Sequence, residues 1–241
     1  MNANSTNAQP VMTRVKNGAG GAVTAEIGRR LEERLGEVKG AGAQVWRVGA
    51  EVLDAGYAFD IPQENSAVLA NVVLTGAPDV AAAVYQMVKS LRPDGVLLAT
   101  FLGAESFTEI RQAFGPEHAG NLPDVQDVGG LLQRLKLALP VIDRDRITLT
   151  FRDFAGMYAT LREEGWSGNA LGWRRQGLVT PRKLAGMERR YRAMFGRGDG
   201  RLPLTVEVIY AQAFRPHDNQ PVSAKRGSGK VSLVRILGEE S

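Results

Sequence analysis

The chain has 241 residues, a formal net charge of +4 and 44% hydrophobic residues. That balance fits a soluble protein with one sizeable core, and its mild, scattered basicity does not signal a nucleic-acid binder. The absence of cysteine excludes disulfides, thiolate-held metals and thiol nucleophiles, and two histidines, His118 and His217, are too few for a histidine-rich metal site. No apolar run reaches the ~18 residues of a membrane-crossing helix. The polar N-terminus lacks a signal-peptide core, so a cytoplasmic protein is expected.

In chain order, residues 1–23 read as a disordered tail. Residues 24–38 predict an amphipathic helix with Thr24 as its cap, a stripe of Ile27, Leu31, Leu35 and Val38, and Gly40 and Gly42 as the stop. Val45–Val48 predicts a short strand. The valine-rich run 67–74 predicts a strand covered on both faces, as in a parallel sheet. After a turn, Pro78 and Asp79 open a helix whose buried stripe is Val80, Val84, Met87, Val88 and Leu91. "RPDG" at 92–95 closes that helix with Gly95 free to take a positive φ, and 96–102 is a second buried strand. Together these form a βαβ unit.

A helix follows over Ser106–Phe114 with Ser106 as cap, then another from Val125 to Leu135. "PVIDRDRITLTF" predicts one or two strands. Residues 153–195 read as helical pieces broken at Gly165 to Gly172 and at Pro181. Residues 202–214 predict a strand near a sheet edge, and 215–241 a flexible tail. The globular domain is thus expected over 24–214, and no internal repeat is visible. Basic pairs cluster at Arg174-Arg175, Arg182-Lys183 and Arg189-Arg190 with Arg192, where a solvated helix face is the plain reading.

"AVYQMVKSLRPDGVLLATFLG" resembles the helix-and-strand core of class I S-adenosylmethionine (SAM) dependent methyltransferases. "PDVQDVGGLLQRLKLALPVIDRD", "LREEGWSGNAL", "DGRLPLTVEVIYAQAF" and "RPHDNQP" are similar to one branch of them. That branch holds the malonyl-acyl-carrier-protein O-methyltransferase of biotin synthesis and the complex I assembly factor that is an arginine hydroxylase. The resemblance covers roughly residues 24–220. It implies an α/β, Rossmann-like class I methyltransferase fold, here with a shortened N-terminal half and helical insertions in the C-terminal half.

The resemblance breaks where the cofactor would bind. The family ends its first strand in a glycine-rich loop and uses an acid at the end of the second strand to hold the ribose. Here only Gly49 is left of the loop, and just eighteen residues lie between Val48 and Ala67. A βαβ unit takes about thirty, so the intervening strands and helices do not fit. Val68 stands where the family often has an acid, and Thr75-Gly76 where it has a His-Trp pair.

Several candidate sites remain. Gly49, Glu51 and Asp54 are either a reduced SAM site or an ordinary turn. Thr75, Gly76 and Asp79 mark a strand end where open α/β sheets bind ligands, or Asp79 is a helix-start acid. Phe101 and Gly103, with Glu105 and Ser106, line either a substrate pocket or a helix start. Trp166, Asn169, Trp173 and Arg174 form either a pocket for a carboxylate or protein partner or a loop packed on the core. No catalytic residue is assigned, and no metal is expected. SAM is the only cofactor implied, and its loss is equally open. The expected function is a methyltransferase-like protein with a degenerate cofactor site, a pseudoenzyme working through a protein partner or homo-oligomer, with respiratory-complex assembly as the implied role. The alternative is an active carboxyl O-methyltransferase whose SAM site is unusual or completed by a partner chain.

Overall fold

The computed structural model describes residues 21–48, 64–72, 74, 77, 79–116, 122–166 and 181–217. Five strands form one sheet: β1 (Val45–Val48), β2 (Asn65–Asn71), β3 (Leu91–Leu102), β4 (Ala138–Phe151) and β5 (Leu202–Phe214), in the order β1-β2-β3-β5-β4. The first three are parallel, with Val45 opposite Ala67 and Val68 opposite Leu97. β5 runs antiparallel to β3 on one side and to β4 on the other.

The helices are α1 (Ala22–Glu37), α2 (Val80–Ser90), α3 (Thr108–Phe114), α4 (Val125–Arg134), α5 (Phe154–Glu163) and α6 (Pro181–Phe195). They divide between the two faces. On one face the stripe Ile27, Leu31 and Leu35 of α1 packs with Ile110 of α3, Phe154 and Met157 of α5, and Tyr191 of α6. On the other, Val84, Met87 and Val88 of α2 and Val128, Leu131 and Leu132 of α4 pack on Val68, Leu97, Ala99 and Ile209. A sheet sandwiched this way needs apolar residues on both sides of its inner strands. β2 supplies them from Ala67 to Ala70, and β3 from Val96 to Leu102 with Thr100 as the one polar residue.

Local chemistry explains most element boundaries. The Asp79 carboxylate accepts from Ala82 N and starts α2. Asp124 and Asp127 form a reciprocal capping box on α4, and Asp153 accepts from Gly156 N at the start of α5. Pro181 opens α6, where its missing N–H costs nothing.

Four expectations are corrected. Thr24 does not cap α1, which begins at Ala22 with Gly21 before it. Its open N–H groups are satisfied from far along the chain: Val23 N and Thr24 N donate to the two carboxylate oxygens of buried Glu164, at 2.8 and 2.9 Å. Leu91 is not the end of the α2 stripe but the first residue of β3. In "RPDG" the positive φ belongs to Asp94 (62°), whereas Gly95 is needed for close approach. A Cβ there would lie 2.9 Å from the carbonyl oxygens of both Arg92 and Asn65.

Ser106 does not cap α3; Phe107 holds that position at φ 60°, freeing the serine for other bonds. β5 lies near a sheet edge, as expected: it is one strand in, between β3 and the edge strand β4, and is buried along nearly its whole length. Glu207 and Gln212 break an apolar run that is covered on both faces. The interruption at Gly165 (φ 73°) and the start at Pro181 bracket residues outside those described.

Glu164→Ala removes two charge-assisted bonds to the α1 N-terminus. It is expected to lower stability by about 2 kcal/mol, read as a lower urea midpoint with an unchanged slope. Glu164→Gln, which keeps one acceptor, should recover part of that loss.

Candidate functional site

The C-terminal ends of β1, β2 and β3 fall along one margin of the sheet, because the three run parallel and in register. In open α/β sheets this is the ligand-binding margin. Two polar clusters organise it, one on each face.

On the α1 face, Asn71 ends β2 and Thr100 lies opposite it in β3. Thr100 Oγ1 donates to Asn71 Oδ1 at 2.9 Å and accepts from Val72 N at 2.8 Å. Asn71 Nδ2 donates to the Thr24 carbonyl at 2.9 Å. The cluster therefore pins the strand end to α1. α1 can approach because Gly28 faces Asn71; a Cβ there would lie 2.7 Å from Nδ2.

On the opposite face, β3 continues into Gly103, Ala104, Glu105 and Ser106. Glu207 of β5 holds this loop at every level. Its carbonyl accepts from Gly103 N at 2.9 Å and from Ser106 Oγ at 3.0 Å, and its own N–H donates to Ser106 Oγ. Its carboxylate accepts from Glu105 N at 2.9 Å. The side chain is only 6% exposed, and Arg144 of β4 closes over it at 3.6 Å. Beside this pair, Arg146 meets the Glu105 carboxylate at 3.4 Å. Two carboxylates and two guanidinium groups thus alternate at the margin, the arginines exposed and the glutamates graded from half-buried to buried.

Several expected site residues are used otherwise. Phe101 is core, packed with the α2 and α4 cluster rather than facing a pocket. The open side of Gly103 is filled, since a Cβ would lie 2.6 Å from the Glu207 carboxyl carbon. Asp79 spends its carboxylate on Ala82 N. Trp166 is buried against Phe107, with ring centroids 5.8 Å apart, so it belongs to the core and not to a partner pocket. His217 is exposed. Gly49, Glu51, Asp54, Thr75, Gly76, His118, Asn169, Trp173 and Arg174 lie outside the described residues.

Residues that the sequence reading missed are Asn71, Thr100, Arg144, Arg146 and Glu207. Two signals were available. Glu207 is the lone acid of an otherwise apolar strand, and the two-residue period of "DRDR" places both arginines on one face and both aspartates on the other.

The described residues at this margin are largely committed within the fold. The glycine at the end of β3 is blocked by a carboxylate, and the acid beside β2 is engaged in a helix cap. Among them there is also no group of three acids or histidines able to hold a metal. A shallow cleft of about 20 Å³ lined by Leu31, Arg34, Val141, Tyr210 and Gln212 lies under the second half of α1, away from the strand ends.

The parallel βαβ unit, helices on both faces and an antiparallel final strand inserted before β4 define a Rossmann-like α/β protein of methyltransferase type. No family model matches the chain. It is 28% identical over 181 residues to the mitochondrial arginine-hydroxylase NDUFAF5 of Danio rerio, covering 70% of this chain and 55% of that protein. It is 37% identical over 143 residues to the malonyl-[acyl-carrier protein] O-methyltransferase of Laribacter hongkongensis, covering 58% and 46%. The YcgJ protein of Bacillus subtilis aligns with a TM-score of 0.48 at 11% identity, over 79% of this chain and 99% of that one. The chain is similar to these two groups of proteins, and it spans about half the length of the relatives it matches.

Gly103→Ala forces a methyl group against the Glu207 carboxylate and is expected to cost about 1–3 kcal/mol. In a Glu207→Ala background the same change should cost under about 0.5 kcal/mol. Denaturant unfolding of the four proteins in the cycle measures the coupling; additive losses would break the assigned contact.

Proposed function

We propose that this chain is a methyltransferase-like protein with a degenerate cofactor side, acting through protein contact rather than methyl transfer. The observation that carries this reading is the direct parallel pairing of β1 with β2, with only residues 49–64 between them. A parallel connection must return from the end of one strand to the start of the next. As a helix, a segment of that length advances about 24 Å, which the return itself consumes. A further strand with its crossover needs about thirty residues for the unit. The cofactor-side strands of a full methyltransferase therefore have no chain to be made from.

The filled space at Gly103 and the engaged Asp79 support the same reading. The role in respiratory-complex assembly implied by the resemblance is its biological setting, and a cytoplasmic location goes with it. A second reading, an active carboxyl O-methyltransferase with a SAM site completed by a partner chain, draws support from one feature. Arg144 and Arg146 stand exposed beside the strand ends, where a substrate carboxylate could be met bidentately.

Calorimetric titration of the purified full chain with SAM and with S-adenosylhomocysteine separates the two. The degenerate reading expects no saturable heat up to about millimolar ligand, which corresponds to about 4 kcal/mol of affinity. Micromolar binding of either ligand overturns it.

A further inference from the structure

The most one-sided charge on the described surface lies on α6 and the turn that follows it. One side of α6 is committed: Tyr191 is buried, Leu184, Met187 and Phe195 pack on the core, and Glu188 accepts from Phe154 N and pairs with Arg192. The side turned to solvent carries Arg182, Arg189 and Arg190, separated by Ala185, Gly186 and Ala193. Exposed Met194 lies at its flank. No acid lies on that side.

Beyond the helix, Arg197 and Arg201 are exposed in the turn, and exposed Arg152 lies alongside, its carbonyl accepting from Arg192. The neighbouring acids are occupied locally: Asp153 caps α5, and Asp199 accepts from Arg201 N. Arg182 and Arg190 stand about 12 Å apart along the helix. That is about one and a half Debye lengths at physiological salt, and Arg189 and Arg190 are adjacent, so a charged surface spanning the face meets all three together.

We infer that this face of α6, with the 197–201 turn and Arg152, is a docking surface for an anionic lipid bilayer. Three features favour a membrane surface over other polyanions. The cations are spread over a low-relief face with only alanine and glycine between them, which matches a plane rather than a groove. Among the described residues the face carries no aromatic ring on which a nucleic-acid base could stack. Nor do they intersperse on it the acids by which protein interfaces fix register and reject wrong partners. The apolar side of α6 stays in the protein core, so the contact is electrostatic and peripheral, not an insertion. Nothing in it depends on whether SAM binds.

The test is co-sedimentation of the full chain with phosphatidylcholine vesicles, pure or containing about 30% phosphatidylserine, at low and high salt. Binding is expected only to the anionic vesicles, weakening steeply as salt rises. The triple variant Arg182→Gln, Arg189→Gln, Arg190→Gln should lose about a hundredfold in apparent affinity. Among the described residues these side chains make no ion pair, so the variant is expected to fold, as circular dichroism would verify. A matched control, Lys39→Gln, Arg134→Gln, Lys136→Gln, removes the same charge elsewhere and should bind like the parent. Failure to bind anionic vesicles, equal binding to neutral ones, or equal losses in both variants overturns the proposal. So does release from vesicles by an equimolar 20-base-pair DNA duplex, which would make nucleic acid the preferred ligand.

Discussion

The insertion of β5 between β3 and β4 is the constraint on which the rest of the molecule depends. A strand buried on both faces must have both backbone edges bonded, because no water reaches its N–H and C=O groups. β5 meets that demand with β3 from Val208 to Phe214 and with β4 along almost its whole length. Its side chains then feed both cores, Val206, Val208 and Tyr210 toward α1, α5 and α6, Ile209, Ala211 and Ala213 toward α2 and α4. β3 alone extends past Leu102 into the loop at the sheet margin, and it is β5 that holds this loop through Glu207.

Buried carboxylates act here as backbone staples. Glu109 accepts from Thr205 N and Thr205 Oγ1, Glu164 from the first N–H groups of α1, and Glu207 from Glu105 N. Each joins segments 96 to 141 residues apart in sequence. Burying an acid is costly unless its oxygens are matched by donors, and a backbone N–H at a helix start or strand end is a donor that would otherwise go unmet. The Tyr191 hydroxyl follows the same logic: it donates to the Pro203 carbonyl at 2.6 Å, and burial, then the nearby Glu109 charge, holds its pKa well above the ordinary phenol value. These groups are committed to the fold, which is why a search of the described core for an idle acid or base finds structure instead.

The elements most visible in the sequence were those whose apolar period is set by one neighbouring layer. The stripe of α1, the apolar runs of β2 and β3, and the Asp79 and Asp124 helix starts all follow from local pattern. Features that depend on distant partners were hidden. Nothing near Thr24 says that Glu164 will cap its helix. Nothing near Ser106 says that the hydroxyl will serve Glu207, so that Phe107 takes the left-handed turn instead. The burial of β5 on both faces is hidden for the same reason. Alternation reports which side of a strand is apolar, not how many strands flank it, and Glu207 looks solvated until Arg144 and the Glu105 N–H are known to meet it. Of the candidate site, the margin at the end of β3 was legible, but its ion pairs come from β4 and β5, which sequence alone does not bring there.

A sheet of this order tolerates change at its β1 margin better than anywhere else. Both cores centre on β2, β3 and β5, and β1 contributes only Val48 as a buried residue, with Val45 and Trp46 packed at the periphery. Its exposed Arg47 is tied to Glu32 of α1, at 2.5 Å and 2.9 Å, and not to a further strand. Among the described residues β1 is therefore a short terminal strand, the form in which natural sheets limit unwanted pairing. Strands beyond it would add a cofactor site but little to either core. The opposite half has no such freedom: β4, β5, α5 and α6 share Tyr191, Phe154 and the Glu188 bonds, so removing any one exposes the others.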